Sequence, residues 1–186
     1  SDLALKRALC AGRLGAIREV VATGLWKRAD SYYARTPWAG AFMHEGQYVL
    51  DGTVNNPLAH YLFNGFFFAS TEEGRAAAPT EVRAELYHAH AIPSEDTSCL
   101  EARCDNGATV RFYATLCAGT ERPAEISILG ARGRAHWSGA GWARIEPDDG
   151  PVVELGAADR DASRVELFRN AARFLRGLDA RLNCPL

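Results

Sequence analysis

No apolar run in these 186 residues approaches the roughly 20 needed to cross a bilayer as a helix. Charge of one sign is also missing. Lys and Arg number 21 against 23 Asp and Glu, a net charge of -2, and Arg132 with Arg134 is the nearest thing to a basic cluster. That balance speaks against a nucleic-acid or anionic-membrane surface. The five cysteines, at 10, 99, 104, 117 and 184, include no Cys-x-x-Cys pair. An odd number without paired spacing argues against a disulfide framework or a zinc knuckle. Cys99, Cys104 and Cys117 read as core thiols in strands, and a reducing, cytoplasmic compartment is expected. The start, Ser1 to Arg7, is charged and passes straight into a helical pattern, so no signal peptide is expected there. Gly-x-Gly-x-x-Gly is absent. Gly130-Ala-Arg-Gly133 falls between two strand patterns and opens no helix, so it is not a dinucleotide fingerprint. No Gly-x-Ser-x-Gly elbow and no phosphate loop occur either.

What is present has the composition of a soluble globular fold, with 47% apolar and 24% charged residues. The length suits one domain over residues 1–186. Leu5, Ala8 and Leu9 mark a first helix, stopped by Gly12 or Gly15. Ile17–Trp26 reads as a strand. Residues 27–40 are dense in aromatics and hydrogen-bonding groups without a clean period, which predicts a long functional loop. Phe42–Leu50 predicts a short hairpin about Glu45-Gly46. Residues 56–69 predict a helix with Asn56 as N-cap and Pro57 in first position. It is apolar nearly all round, with Phe63, Phe67 and Phe68 opposite the Leu58/Leu62/Gly65 stripe, so burial on two sides is expected.

From Val82 the pattern turns to β. Val82–His90 predicts a strand. Cys99–Cys104 and Ala108–Cys117 flank Asp105-Asn106-Gly107, a hairpin signal. A three-residue loop with left-handed Gly107 pairs Ala102 with Val110, Leu100 with Phe112 and Glu101 with Arg111. It keeps one face apolar, which a two-residue loop does not. Glu125–Leu129, Arg134–Ile145 and an edge at Val152–Leu155 continue the sheet. Ser163-x-x-Glu166 predicts a capping box for a last helix with Val165, Phe168, Ala172 and Leu175 buried and Gly177 as its stop. Asn183-Cys-Pro-Leu186 reads as the lead-in to a further element, so a piece of a longer chain is expected. Helices at the start, middle and end around consecutive strands describe an α+β fold. It has two layers: an open, mainly antiparallel sheet with helices on one face.

His60 stands at the positive end of its helix, where the macrodipole favours the neutral imidazole. A neutral ring could take or hold a hydroxyl proton; it could equally be a histidine tied into a helix–loop contact. Asn55 and Asn56 have the two-sided donors and acceptors that fix a polyol. His88 and His90 share a strand face in this reading. With His60 they could bind zinc, but no carboxylate or thiol stands at matching spacing, and no metal site is expected. His90 suits a polar pocket wall, and Asp96-Thr97 suits a turn cap. Trp26, Tyr32, Tyr33 and Trp38, interleaved with Lys27, Arg28 and Arg35, suit sugar rings or nucleotides, or serve to anchor the loop.

Several stretches, in order, carry a resemblance. They are Gly15-x-Ile17, Trp26-x-Arg28, Tyr32-Tyr33-x-Arg35-x-x-Trp38-x-Gly40, the helix start with His60, Glu85-Leu-Tyr, Asp96-Thr97, Asn106-Gly107 and Ile126-x-Ile128-x-Gly130-x-x-Gly133. The chain resembles the C-terminal domain of the glucose–fructose oxidoreductase/inositol dehydrogenase/MocA family. That resemblance implies an N-terminal Rossmann domain outside these residues, which binds NAD or NADP and supplies a catalytic lysine. It implies a sugar, alditol or related polyol as substrate, and homo-oligomers through the open sheet face. The family's Asp-x-x-x-His falls on Asn56-Pro-Leu-Ala-His60, with asparagine replacing the aspartate. By resemblance His60 is the catalytic residue, and Lys27, Arg28, Tyr33, Trp38, Asn55, Asn56 and His90 are the expected pocket. No cofactor is expected in the fragment, and no catalysis by it. The alternative is a non-catalytic carbohydrate-binding or dimerisation module of the same fold.

Overall fold

A computed structural model describes residues 2–156, 160–179 and 182; the 183–186 segment lies outside them. The elements run α1 (Asp2–Cys10), β1 (Ile17–Leu25), α2 (Asp30–Tyr33), β2 (Met43–His44), β3 (Gln47–Tyr48), α3 (Ala59–Ala69), β4 (Pro79–Tyr87), β5 (Thr97–Cys104), β6 (Thr109–Thr115), β7 (Glu125–Gly130), β8 (Gly133–Ser138), β9 (Trp142–Pro147), β10 (Val153–Leu155) and α4 (Arg160–Leu175). Eight strands form one sheet in the order β10-β9-β8-β7-β1-β6-β5-β4. The fold is α+β. Every neighbouring pair is antiparallel except β1 and β6, which run parallel at the centre.

Strand alternation builds the core. Val20 and Ala22 on β1, Val110 and Phe112 on β6, and Ile126 and Ile128 on β7 point to one face, all at most 1% exposed. α3 lies on that face with Leu58, Leu62 and Phe68 buried. It comes close because Gly65 faces the sheet: a Cβ there would stand 3.1 Å from Val110 Cγ1. α1 joins the same layer through Leu5 and Leu9. Asp2 accepts the Trp137 indole N–H at 2.6 Å, and the Trp137 ring packs on Tyr61 and Phe68 of α3. The opposite face is polar. On it Arg111 binds Glu101 at 2.9 Å and also pairs with Glu19. A shallow polar groove of about 500 Å³ lies where β1 and β8 begin and β7 and β9 end, between Arg18, Gly130, Arg134, Glu146 and Asp148.

The β5–β6 hairpin takes the three-residue register: Ala102 faces Val110, Leu100 faces Phe112 and Glu101 faces Arg111, with Gly107 at φ 84°. Asn106 also donates to the Ala69 carbonyl at 2.9 Å, so the turn helps to close α3. The β2–β3 ribbon turns at Glu45 and Gly46, both left-handed.

Other expectations shift. Asn56 is not a cap. α3 begins at Ala59 with Leu58 at the N-cap position and no side-chain cap. Successive turns lead into it, with Asn56 N–H on the Gly52 carbonyl at 2.9 Å and Ala59 N–H on the Asn56 carbonyl at 2.7 Å. The Asn56 amide instead donates to Asp51. Phe68 belongs to the core rather than the far side of α3, while Phe63 is exposed and stacks on Phe67. β4 ends at Tyr87, so His88 and His90 lie in the following bend and share no strand face. Residues 134–145 form two strands around a turn closed by Gly141 N–H on the Ser138 carbonyl. Ser163 falls inside α4, which runs from Arg160, rather than ahead of its first turn. The expected buried stripe of α4 is exposed: Val165 at 54%, Phe168 at 74%, Leu175 at 84%, with Ala172 exposed too. Amphipathic spacing shows which face of a helix is apolar, not what covers it. Gly177 does stop α4, with Gly177 N–H on Phe174 O and Leu178 N–H on Arg173 O. Cys117 is exposed beyond β6 rather than in the core.

Lys6 is the largest polar departure from an apolar core, 2% exposed. Its ammonium donates to the carbonyls of Phe67 (2.6 Å), Ser70 (2.6 Å) and Arg75 (2.9 Å) and sits 4.5 Å from the Phe67 ring centre. These carbonyls lie at and beyond the C-terminal end of α3, where the helix leaves acceptors without partners and its dipole favours a cation. Burial lowers the Lys6 pKa to about 8, which leaves it protonated at neutral pH with three donors in use. Replacing Lys6→Met should cost about 2–3 kcal/mol by urea unfolding, because buried acceptors lose their donor. A loss below about 0.5 kcal/mol would show that water replaces the ammonium.

Candidate functional site

The two parallel strands stop side by side, and the chain leaving each remains paired. Trp26 N–H donates to Thr115 O (2.9 Å), Arg28 N–H donates to Leu116 O (2.7 Å), and Lys27 bridges Cys117. α3 begins at this end of the sheet, because its other end meets Asn106 in the β5–β6 turn. His60 therefore stands over the ends of β1 and β6. Its ring centre is 6.1 Å from Trp26 and 3.9 Å from Tyr61. These neighbours strip water from part of the imidazole and push its pKa below the ordinary value, which favours a neutral acceptor at neutral pH.

Residues 27–40 extend the cluster away from His60. Arg28 lies over Trp26 at 4.9 Å and over Tyr32 at 5.2 Å. Arg35 covers Tyr32 at 3.5 Å and reaches Trp38 at 5.3 Å. α2, a single turn, sets Tyr32 and Tyr33 edge to face at 5.2 Å. Tyr33 then packs on His90 at 4.8 Å. One ribbon of rings and guanidinium groups thus runs from His60 to His90. Of the residues expected from sequence, it joins His60, Arg28, Tyr33, Trp38 and His90. Lys27 is exposed and touches the ribbon's base through its backbone. Asn55 is exposed. Asn56 is committed to Asp51.

Three buried carboxylates hold the surrounding loops. Asp51 takes the Gly40 N–H at 2.7 Å as well as the Asn56 amide. Glu95 accepts from Ser94 Oγ (2.8 Å) and Val54 N–H (3.3 Å) and lies so close to Gly52 that a Cβ there would overlap its carboxylate. Asp96 is fully buried and fixes the turn after β4: one oxygen receives Ala89 N–H (2.9 Å), His90 N–H (2.9 Å) and His90 Nδ1 (2.8 Å), the other Thr97 Oγ1 (3.1 Å). Burial raises its pKa, but the His90 and Ala89 donors with the Cys117 thiol outweigh that and bring it to about 2. The turn-capping role read from Asp96-Thr97 is therefore present, and it also orients the His90 ring.

Sequence reasoning did not single out Asp51 or Glu95, nor did it foresee that Asp96 and Cys117 meet His90. The Asp96 bonds are local, whereas Asp51 meets Gly40, Cys117 meets His90 and Glu95 meets Val54 across 11, 27 and 41 positions of chain. Chemically, the ribbon offers flat apolar faces backed by cations, with a neutral imidazole at one end, which suits a polyhydroxylated ring. Among the described residues no helix is long and apolar enough to cross a membrane.

Comparisons with known proteins bear on this arrangement. The WlbA dehydrogenase of Bordetella pertussis, solved with NADH and UDP-GlcNAcA, superposes with a TM-score of 0.70 at 23% identity, covering 95% of this chain and 50% of that one. An aldose-aldose oxidoreductase from Caulobacter crescentus, complexed with glycerol, gives 0.70 at 15% identity over 97% of this chain and 52% of that one. An oxidoreductase from Agrobacterium radiobacter, in complex with NAD+, L-tartaric acid and magnesium, gives 0.68 at 18% identity over 95% and 52%. At these identities the likeness shows the fold, and the chain spans about half the length of these structures. A search of curated proteins gave no significant match. Residues 3–136 match the sequence family described as the GFO/IDH/MocA C-terminal domain. The chain belongs to the glucose–fructose oxidoreductase/inositol dehydrogenase/MocA family, as its C-terminal domain.

Proposed function

We propose that this chain is the substrate-binding part of an NAD(P)-dependent oxidoreductase acting on a sugar, alditol or similar polyol. The observation that carries the reading is the position of His60 over the paired ends of β1 and β6, at one end of the ring ribbon. In open α/β sheets ligands gather outside the carboxyl ends of parallel strands, and β1 with β6 is the one parallel pair of this sheet. The dinucleotide, held by a domain outside this chain, supplies the hydride acceptor. Within this chain, Trp26, Tyr33 and Trp38 offer ring faces, Arg28 and Lys27 offer donors, and Asn55 and His90 border the same end. His60 takes the proton of the hydroxyl being oxidised, a task for which its lowered pKa suits it. Family membership and the small molecules named with its relatives support the substrate class.

A second reading, a non-catalytic carbohydrate-binding or dimerisation module, is favoured by one observation. Asn56 stands where the family often has an aspartate, and its amide is already used on Asp51. Either reading accommodates a cytoplasmic homo-oligomer formed through the outer sheet face, where Tyr113 and Leu129 are exposed at 41% and 48% beside the Glu19–Arg111–Glu101 network.

In the full-length protein, His60→Ala should lower kcat/KM by about 100-fold or more. The parent's rate should rise with pH through an imidazole pKa below about 6.5, and the variant should lose that acidic limb. Unchanged turnover on a confirmed substrate would leave the binding-module reading. The isolated chain with added NAD or NADP should show no turnover; measurable dehydrogenase activity would contradict the division of labour. By light scattering the chain should be dimeric or larger, and Leu129→Asp should reduce it to monomers. A wild-type monomer at high micromolar concentration would remove the sheet-face interface.

A further inference from the structure

His90, Asp96 and Cys117 arrive from three separate segments: the bend after β4, the residue before β5 and the chain leaving β6. Their ligand atoms all lie within 4.8 Å of one another, the only such group of three among the described residues. His90 Nδ1 is 2.8 Å from Asp96 Oδ2 and 3.4 Å from Cys117 Sγ. Around a tetrahedral zinc ion, nitrogen, oxygen and sulfur ligands stand roughly 3.3–3.6 Å apart. The nitrogen–sulfur separation already matches. The nitrogen–oxygen separation needs to open by roughly half an ångström, as it would once the proton between the two atoms is replaced by an ion.

We propose that these three side chains form a binding site for a divalent transition ion of the zinc type. The donor set selects it: thiolate with imidazole is a poor cage for magnesium or calcium, which take oxygen ligands. The supporting groups are also in place. The backbone N–H groups of Ala89 and His90 hold the same Asp96 oxygen in place. On binding, the imidazole proton moves to Nε2, which faces Asp30 Oδ1 at 3.9 Å. Asp30 is exposed and stands beyond hydrogen-bond length, so it must close by about 1 Å to complete the carboxylate–histidine–metal arrangement that fixes such ligands. The one proton released to solvent comes from the Cys117 thiol, which is exposed. Three protein ligands leave a fourth position for water. A second, independent observation comes from Tyr33, beside His90. The Tyr33 hydroxyl is buried with no hydrogen-bond partner among the described residues, and its ring lies against His90. A metal-bound water, a strong donor, would give the hydroxyl oxygen a partner. The site rests on these side chains alone and does not depend on the oxidoreductase reading.

The test is titration of the chain, reduced and freed of metal, with cobalt(II) and then zinc(II). The expected result is one ion per chain, a thiolate-to-cobalt absorption band in the near ultraviolet, and its loss on adding zinc. Cys117→Ser and His90→Gln, each with an unchanged circular dichroism spectrum, should weaken binding by at least about 100-fold. Asp30→Asn should weaken it by about tenfold. Cys99→Ser should leave it unchanged. Bound zinc should protect Cys117 from iodoacetamide. A cobalt band that survives Cys117→Ser would assign the metal to another thiol and overturn the proposal. So would the absence of binding at micromolar metal in the folded wild-type chain.

Discussion

The parallel pairing of β1 with β6 is the constraint on which the rest depends. Antiparallel neighbours can be joined by a tight turn, but parallel neighbours require the chain to travel back to the starting edge. Between Leu25 and Thr109 it does so by way of the loop 27–40, the β2–β3 ribbon, α3, and the β4 and β5 strands. α3 lies against β1 on that route and is admitted by Gly65 and by Gly24, where Leu58 fills the space a side chain would take. The same pairing brings two strands to an end together. That common end is where Trp26, Arg28, His60 and Cys117 gather, although 91 positions separate the first from the last.

Buried charge then holds the loops around that end. Lys6 ties α1 to the far end of α3 through three carbonyls. Asp51 and Glu95 tie the residues before α3 to Gly40 and Ser94, and Asp96 fixes the bend that presents His90. Each is a buried charge with its hydrogen bonds supplied, the condition under which such groups persist in an interior. Loops that bear binding groups need this kind of anchoring, since they lack the ladder of a sheet. The wet, charged opposite face shows the converse: Arg111 meets two carboxylates in partial solvent, where such pairs add little to stability.

The parts of the fold legible in the sequence were those encoded locally. The β5–β6 register followed from one glycine and from the demand that Ala102, Val110, Leu100 and Phe112 share a face. The β2–β3 turn followed from Glu45-Gly46. The aromatic and cationic residues of 27–40 were visible as composition, and the structure joins several of them to His60. What the sequence hid is non-local. Asn56 has the chemistry of a cap, yet successive turns carry the chain past it and the helix starts only at Ala59, while its side-chain N–H meets Asp51. Val165 and Phe168 have the spacing of a buried stripe, but nothing in the sequence says which surface would cover them. His90, Asp96 and Cys117 read separately as a pocket wall, a turn cap and a core thiol. Only the ends of β4, β5 and β6 in one sheet bring them within reach of one another.

The central claim is that the common end of β1 and β6, bordered by His60 and His90, receives the substrate. Histidine ring resonances of the chain, followed by NMR during titration with a UDP-sugar acid, with an aldose and with glycerol, test it most directly. His136 serves as an internal reference, since it lies on β8 with its ring against Ser127 Oγ at 3.2 Å. The account predicts that His60 and His90 shift together along one saturation curve for at least one of these ligands while His136 stays still. Saturable binding that moves His136 and leaves His60 and His90 unchanged would contradict it.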